Sequence, residues 1–223
     1  MDDEPLHVPK FVPIFPLPEI VLFPRAVLPL HIHEPRYQQM TSDALANERI
    51  IATALLKPGF EPHYYTLRAP IHPVIGIGQI VASEQLDDGK FNILLRGYDR
   101  ARILEEVPHQ PYRVARVQPL DDLAPSNANQ IDQLRGDLQR TIEAEFVGET
   151  EMQEYWLELF ESSLGLGDLV DLIASGLPII AELRQDLLAE VNPVTRAAHI
   201  MAHIKTVAAV TRTRRIQSPN AEW

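Results

Sequence analysis

The 223-residue chain is 45% apolar, carries 31 acidic against 20 basic side chains for a net charge of −11, and has no cysteine. That length and apolar content suffice for a packed core, while the acidity weighs against a phosphate-binding surface. The missing thiols exclude disulfides, thiolate zinc sites and a cysteine nucleophile, and no run reaches the roughly 18 apolar residues that a membrane helix needs.

The start, MDDEP, lacks the basic and apolar regions of an export signal, so a cytoplasmic protein is expected. Residues 1–9 read as a loose arm. A strand is expected over 11–17, its prolines suiting a sheet edge, then a short apolar run over 20–23 and a second strand over 27–33. In that strand Leu28, Leu30 and Ile32 alternate with Val27, His31 and His33, the mark of a half-buried strand. Six prolines fall between Pro13 and Pro35. Proline removes a backbone donor and fixes φ, so this stretch predicts short extended pieces that bend and cover a barrel. Pro35 suits the first position of a helix, with Glu34 near its positive end. The helix runs over 35–47, with Tyr37, Met40, Ala44 and Leu45 at helical spacing.

A continuous apolar run predicts a buried strand over 50–56, and 57–70 has few regular signals. Segments 74–84 and 90–95 flank Asp87-Asp88-Gly89, a tight hairpin turn. Gly76 and Gly78 share a strand face and predict close backbone approach, a bulge or a sharp bend. The sheet continues over 93–104 through Gly97, and a last strand covers 112–117.

The pattern then changes. A polar connector over 121–129 holds Pro125. Ile131, Leu134, Leu138, Ile142 and Phe146 mark one helix face; Tyr155, Trp156, Leu159 and Phe160 form a second cluster. Gly165 and Gly167 precede a short helix with Asp168 as its expected N-cap. Ile179, Ile180, Leu183, Leu187, Leu188 and Val191 form an apolar stripe. Asn192-Pro193 opens a final helix through Val194, Ala197, Met201, Ile204 and Ala208. The expected organisation is α+β: a β-rich unit over 1–120 with one inserted helix, a helical unit over 121–216 and a frayed tail over 217–223.

Few residues suggest chemistry. His31 and His33 lie on one strand face beside Glu34, acceptable for two metal ligands, but no third ligand is marked and a solvent-facing pair beside a barrel mouth is favoured. His199 and His203 are one helical turn apart, yet Ile200 stands where a zinc peptidase needs its glutamate. The Gly89-Lys90 pair has Glu84 and Phe91 where a phosphate loop needs glycine and Ser/Thr. No nucleophile elbow is present among the seven serines. Arg96, Arg100 and Arg102 around Tyr98 read as a charged strand face rather than a nucleic-acid contact, and Arg212, Arg214 and Arg215 complement the negative end of the last helix. No cofactor, metal, nucleic acid or membrane partner is expected.

Four strings carry a resemblance: Phe-Pro-Leu-Pro at 15–18, Leu-Phe-Pro at 22–24, PLHIHEPRY at 29–37 followed by Met40, and the hairpin GIGQIVASEQLDDGKFNILLRGYDRARIL at 76–104. In that order they resemble the amino-terminal domain of Lon-type ATP-dependent proteases, with His33 where the family usually has an aromatic residue. The chain looks closest to small bacterial proteins made of that domain alone. The resemblance implies a bent β pseudobarrel followed by a helical bundle. It also implies a non-catalytic module that holds unfolded segments or a protein partner, because the family's ATPase and proteolytic centres lie elsewhere. Glu34-Pro35-Arg36-Tyr37 is read first as structural: it starts the helix, seats the ring in the core and pairs Arg36 with an acid. A partner surface at this strand–helix corner would use Phe15, Phe23, His33 and Tyr37. The competing expectation is a small-molecule or hydrolytic pocket at the barrel; the zinc domain of relatives that bind cyclic imides needs cysteines this chain lacks.

Overall fold

The computed structural model describes residues 7–124, 127–145 and 150–217. In chain order the elements are β1 (Phe11–Leu17), β2 (Val27–Ile32), α1 (Pro35–Leu45), β3 (Ile50–Leu55), a 3-10 turn (Glu61–His63), β4 (Val74–Gln85), β5 (Phe91–Val107), β6 (Arg113–Pro119), α2 (Ala128–Glu145), α3 (Thr150–Glu161), α4 (Leu166–Gly176), α5 (Ala181–Ala189) and α6 (Pro193–Gln217). They fall into two compact units. One holds the chain up to Asp121 together with Asp171–Val191; the other holds Asp122–Val170 and the stretch from Asn192 onward.

In the first unit the strands run in the order β2-β5-β4-β3-β1-β6, and an added β5–β6 pairing closes five of them into a ring. β1 and β3 are parallel; the other pairs are antiparallel. Side-chain alternation gives this sheet two cores. Val12, Ile14, Ala52, Ile75, Ile77, Ala101 and Ala115, drawn from all five ring strands, fill the ring. Phe15, Leu17, Ile51, Ile80, Ile93 and Leu95 point the other way and pack under Tyr37, Met40 and Ala44 of α1, with Leu22 from the β1–β2 connection. On the described residues the fold is therefore α+β, with a pseudobarrel and one inserted helix in the first half.

The glycine expectation holds. A side chain on Gly76 would collide with the Leu22 carbonyl, and one on Gly97 with the Phe23 carbonyl; at Gly78 an added carbon would lie 2.6 Å from Leu95 Cγ and 2.8 Å from Leu22 Cδ2. The proline-rich connection thus lies directly on these backbones, tied by Arg25 N–H to Gly97 O (2.8 Å) and Gly97 N–H to Ala26 O (2.7 Å). A register shift between Ile77 and Gly78 adds the expected bulge.

Several expectations are corrected. β1 is not an edge strand: it lies between β3 and β6. Its prolines are tolerated because residues 11–14 align with β6 and residues 14–17 with β3, so Pro13 and Pro16 each have a ladder partner on one side. The arm expected over 1–9 is anchored from Val8, which is buried in the ring core. Arg100 does not belong to a solvated charged face. It is buried and ion-paired with Asp171, and its Nη1 donates to the carbonyls of Leu188 (3.1 Å) and Glu190 (3.2 Å). Ile180 leaves the apolar stripe: it is the N-cap of α5 and 66% exposed, while Gln185 is buried and donates to Val74 O (2.9 Å).

In the second unit α2 packs against α6 and α3, burying Leu138, Ile142, Trp156, Leu159, Phe160, Ala197, Ile200 and Ile204. Arg135 caps the end of α3 by donating to the carbonyls of Phe160, Ser162 and Leu164. Arg196, fully buried, grips Asp122 with two bonds of 2.6 Å. Asp168 is not an N-cap, because α4 begins at Leu166 and carries Asp168 inside its first turn. Phe146, the tail after Gln217, and the side chains of Ala208, Arg212, Arg214 and Arg215 lie outside the described residues. Among those described, no helix is long and apolar enough to cross a membrane.

Candidate functional site

The corner between β2 and α1 forms as its residues dictate. Glu34 is extended and Pro35 opens the helix, while the Glu34 carbonyl accepts from the amides of Tyr37 and Gln38, both at 2.9 Å. The Arg36 guanidinium donates to Glu34 Oε2 through Nε (3.0 Å) and to the Tyr64 carbonyl through Nη2 (3.0 Å), and lies 4.5 Å over the Tyr37 ring. Arg113 Nη1 donates to Ala69 O at 2.6 Å. Two arginines thus clasp the irregular 57–69 segment onto the barrel. Burial pushes the Tyr37 phenol well above its ordinary pKa; burial and then Glu34 push Tyr64 upward.

The four residues chosen from sequence separate into interior and surface. Phe15 (8% exposed) and Tyr37 (4%) meet inside the outer core with ring centroids 4.5 Å apart. Phe23 has no exposed surface. In this conformation Phe15 and Tyr37 support the corner from inside, and none of the three rings offers a face to a ligand. His33 is exposed and its ring stacks on His31 at 6.2 Å. Among the described residues no group of three or more His, Asp or Glu side chains could hold a metal ion. His199 is exposed and His203 half-buried on α6.

An open concavity lies elsewhere in the same unit. A groove of about 510 Å³ is lined by residues 29–31 of β2, 82–84 of β4 and 92–94 of β5. Its exposed rows follow from the register: Val27 beside Arg96, Pro29 beside Leu94 and Ala82, and His31 beside Asn92 and Glu84. Leu94 is 40% exposed and shares its row with the exposed Pro29 and Ala82, so that row of the groove is apolar, and Val27, 57% exposed, adjoins it. One end is a hydrogen-bonded ladder, with His31 Nδ1 2.8 Å from Asn92 Oδ1 and Asn92 Nδ2 donating to Glu84 Oε2 at 3.1 Å. Sequence reasoning missed this groove because Leu94 sits inside the apolar run Ile93-Leu94-Leu95, which reads as interior. The only hint was period two across Asn92, Leu94 and Arg96.

Comparison with known proteins agrees with this architecture. Residues 12–206 match the family model described as the ATP-dependent protease La (LON) substrate-binding domain. The chain is 26% identical over 185 residues to a Lon protease of Anaeromyxobacter dehalogenans and, over the same length, to Lon protease 2 of Myxococcus xanthus; each alignment covers 83% of this chain and 22% of the relative. The chain therefore spans about a quarter of the length of these relatives. Among solved structures, a Lon N-terminal domain protein from Xanthomonas campestris superposes with a TM-score of 0.60 at 21% identity, covering 86% of this chain and 97% of that one. The N-terminal domain of the Mycobacterium avium complex Lon protease gives 0.67 at 16%, covering 88% and 98%.

Proposed function

The chain belongs to the family of ATP-dependent protease La (LON) substrate-binding domains, and from that premise we propose that it holds extended protein segments in the groove of β2, β5 and β4 without cutting them. The observation that carries the reading is an apolar floor, Pro29, Ala82 and Leu94, with Val27 adjoining it, left open to solvent on a sheet whose other face is buried. Burying a fully exposed leucine side chain is worth roughly 1.5–3 kcal/mol, and covering what Leu94 still exposes about 1 kcal/mol, so a few such contacts give weak, reversible capture suited to holding. Strand addition to the free side of β2 is the less favoured route. Pro29, in the middle of that strand, cannot donate to an incoming ladder.

We place the protein in the cytoplasm on its composition. The chemistry of the longer relatives is not carried over: neither bond cleavage nor nucleotide turnover belongs to this reading. The test is titration of an isotope-labelled sample with extended apolar peptides. Amides of residues 27–31, 82–84 and 92–96 should shift, and Leu94→Asp should weaken binding at least tenfold. Shifts confined to other surfaces, or casein cleavage by purified protein above a clean blank, would overturn the proposal.

A further inference from the structure

The groove has an acid, Glu84, in its lining, and a cation, Arg96, stands one row beyond the opposite end of that lining. Glu84 stands in the row of His31 and Asn92; Arg96 stands in the row of Val27; Leu94 lies between. Rows on one strand face are about 7 Å apart, so the two charged rows are separated by about 13 Å, the reach of four extended residues. None of the described residues pairs with the exposed Arg96 side chain. The Glu84 carboxylate is aimed by its neighbours. Asn92 commits Nδ2 to Glu84 Oε2, so its Oδ1 can only accept, and His31 must carry its proton on Nδ1. That chain fixes one carboxylate oxygen and leaves Oε1 to a ligand.

We propose that the groove selects extended segments with a basic and an acidic residue four positions apart and an apolar residue midway. Side chains at alternate positions of an extended chain share one face, so the basic residue meets Glu84, the apolar one covers Leu94 and Pro29, and the acidic one meets Arg96. Either chain direction satisfies the pattern. A uniformly apolar segment leaves both charges desolvated without a partner, which disfavours it. Glu84 and Arg96 are thereby specificity-determining residues. This inference rests on the groove proposed above and adds the chemistry of its occupant.

The experiment uses three labelled peptides with identical neutral flanks and the cores Lys-Thr-Leu-Thr-Glu, Glu-Thr-Leu-Thr-Glu and Gln-Thr-Leu-Thr-Gln, read by fluorescence anisotropy at low salt. Each exposed ion pair should contribute roughly a two- to fivefold gain in affinity, so the Lys/Glu peptide binds the native protein best. Glu84→Lys should make the doubly acidic peptide the tightest. Arg96→Glu should penalise the doubly acidic peptide further. Both positions are exposed, so the variants keep the fold. If all three peptides bind equally and neither variant reorders them, while Leu94→Asp still weakens them all, the charge code is refuted and the groove stands. If no peptide binds, the groove and the code fall together.

Discussion

Replacing Arg100 by methionine tests a buried charge that joins β5 to the returning 171–191 segment. Methionine keeps an apolar stem and removes the guanidinium. Asp171 is then left buried without its cation, and the carbonyls of Leu188 and Glu190 lose their donor. Removing one partner of a buried ion pair costs about 3–5 kcal/mol. The carbonyl losses, about 1 kcal/mol each in isolation, overlap with that figure because the groups share one network. We therefore expect about 4 kcal/mol, a large share of the 5–15 kcal/mol that holds an ordinary domain together. With a urea slope of about 2 kcal/mol per molar, the midpoint should fall by about 2 M. Adding Asp171→Leu should restore most of the loss, since a packed apolar pair is often no worse than a buried ionic one. The assay is urea unfolding followed by circular dichroism, with hydrogen exchange at β4 and β5 amides to localise the effect. A single-variant shift under about 0.5 M, or a double variant as unstable as the sum of the two singles, refutes the account.

Other outcomes follow from the same packing. Gly97→Ala should cost about 3 kcal/mol, combining overpacking with two strained backbone bonds, whereas Gly165→Ala, with open space around it, should be near neutral in the same melt. Arg36→Ala should leave the fold intact but release residues 57–69, seen as faster proteolysis and exchange there and a loss of about 1–2 kcal/mol. Burial holds the Tyr37 phenol above its ordinary pKa. The unfolded chain therefore ionises first, and the stability from this residue is complete below about pH 10 and lost as pH rises beyond it, at up to about 1.4 kcal/mol per unit. Tyr37→Phe should flatten that alkaline limb of the denaturation profile.

Local structure was legible where the chain's own chemistry decides it. The strand at 11–17, the helix opened by Pro35 and the Asp-Gly hairpin appear at or within a few residues of where propensity and turn residues put them. Gly76 and Gly78 announced a close approach, although not that Leu22 makes it. What escaped depends on partners remote in sequence. Arg100 looks like one more surface charge because Asp171 lies 71 positions away. Ile180 looks like a core residue because periodicity alone cannot see that it caps α5. Large rings at a corner suit a surface or an interior equally, and it is tertiary packing that buries Phe15 and Tyr37 in the core beneath α1 and leaves Phe23 without exposed surface.

The position of the groove follows from the length of the β4–β5 hairpin. Ile75 beside Ala101 and Ile77 beside Asp99 sit on the side that faces into the ring. Gln79 beside Arg96 is the next pair on that side, and β6 aligns only with residues from Ala101 onward. Nearer the hairpin tip, β2 takes the place of β6 on that edge of β5, aligned with Phe91–Arg96. The register shift between Ile80 and Ala82 keeps Ala82 and Glu84 level with Leu94 and Asn92. The inner face of the barrel is thus carried past the closed ring and emerges as Leu94, Pro29 and Val27. The opposite face, through Ile80, Ile93 and Leu95, stays fixed to the outer core. A ring interior must be filled to be stable, but the same face beyond the ring has no such obligation. An apolar surface persists there on a rigid, doubly hydrogen-bonded strand. A short hairpin ending near Gln79 would keep the barrel and lose the groove. Deleting residues 80–95, which lie beyond the Gln79–Arg96 pair, with a two-residue turn in their place should therefore preserve the ring core while abolishing peptide capture, and capture that survives the deletion would place the binding face elsewhere.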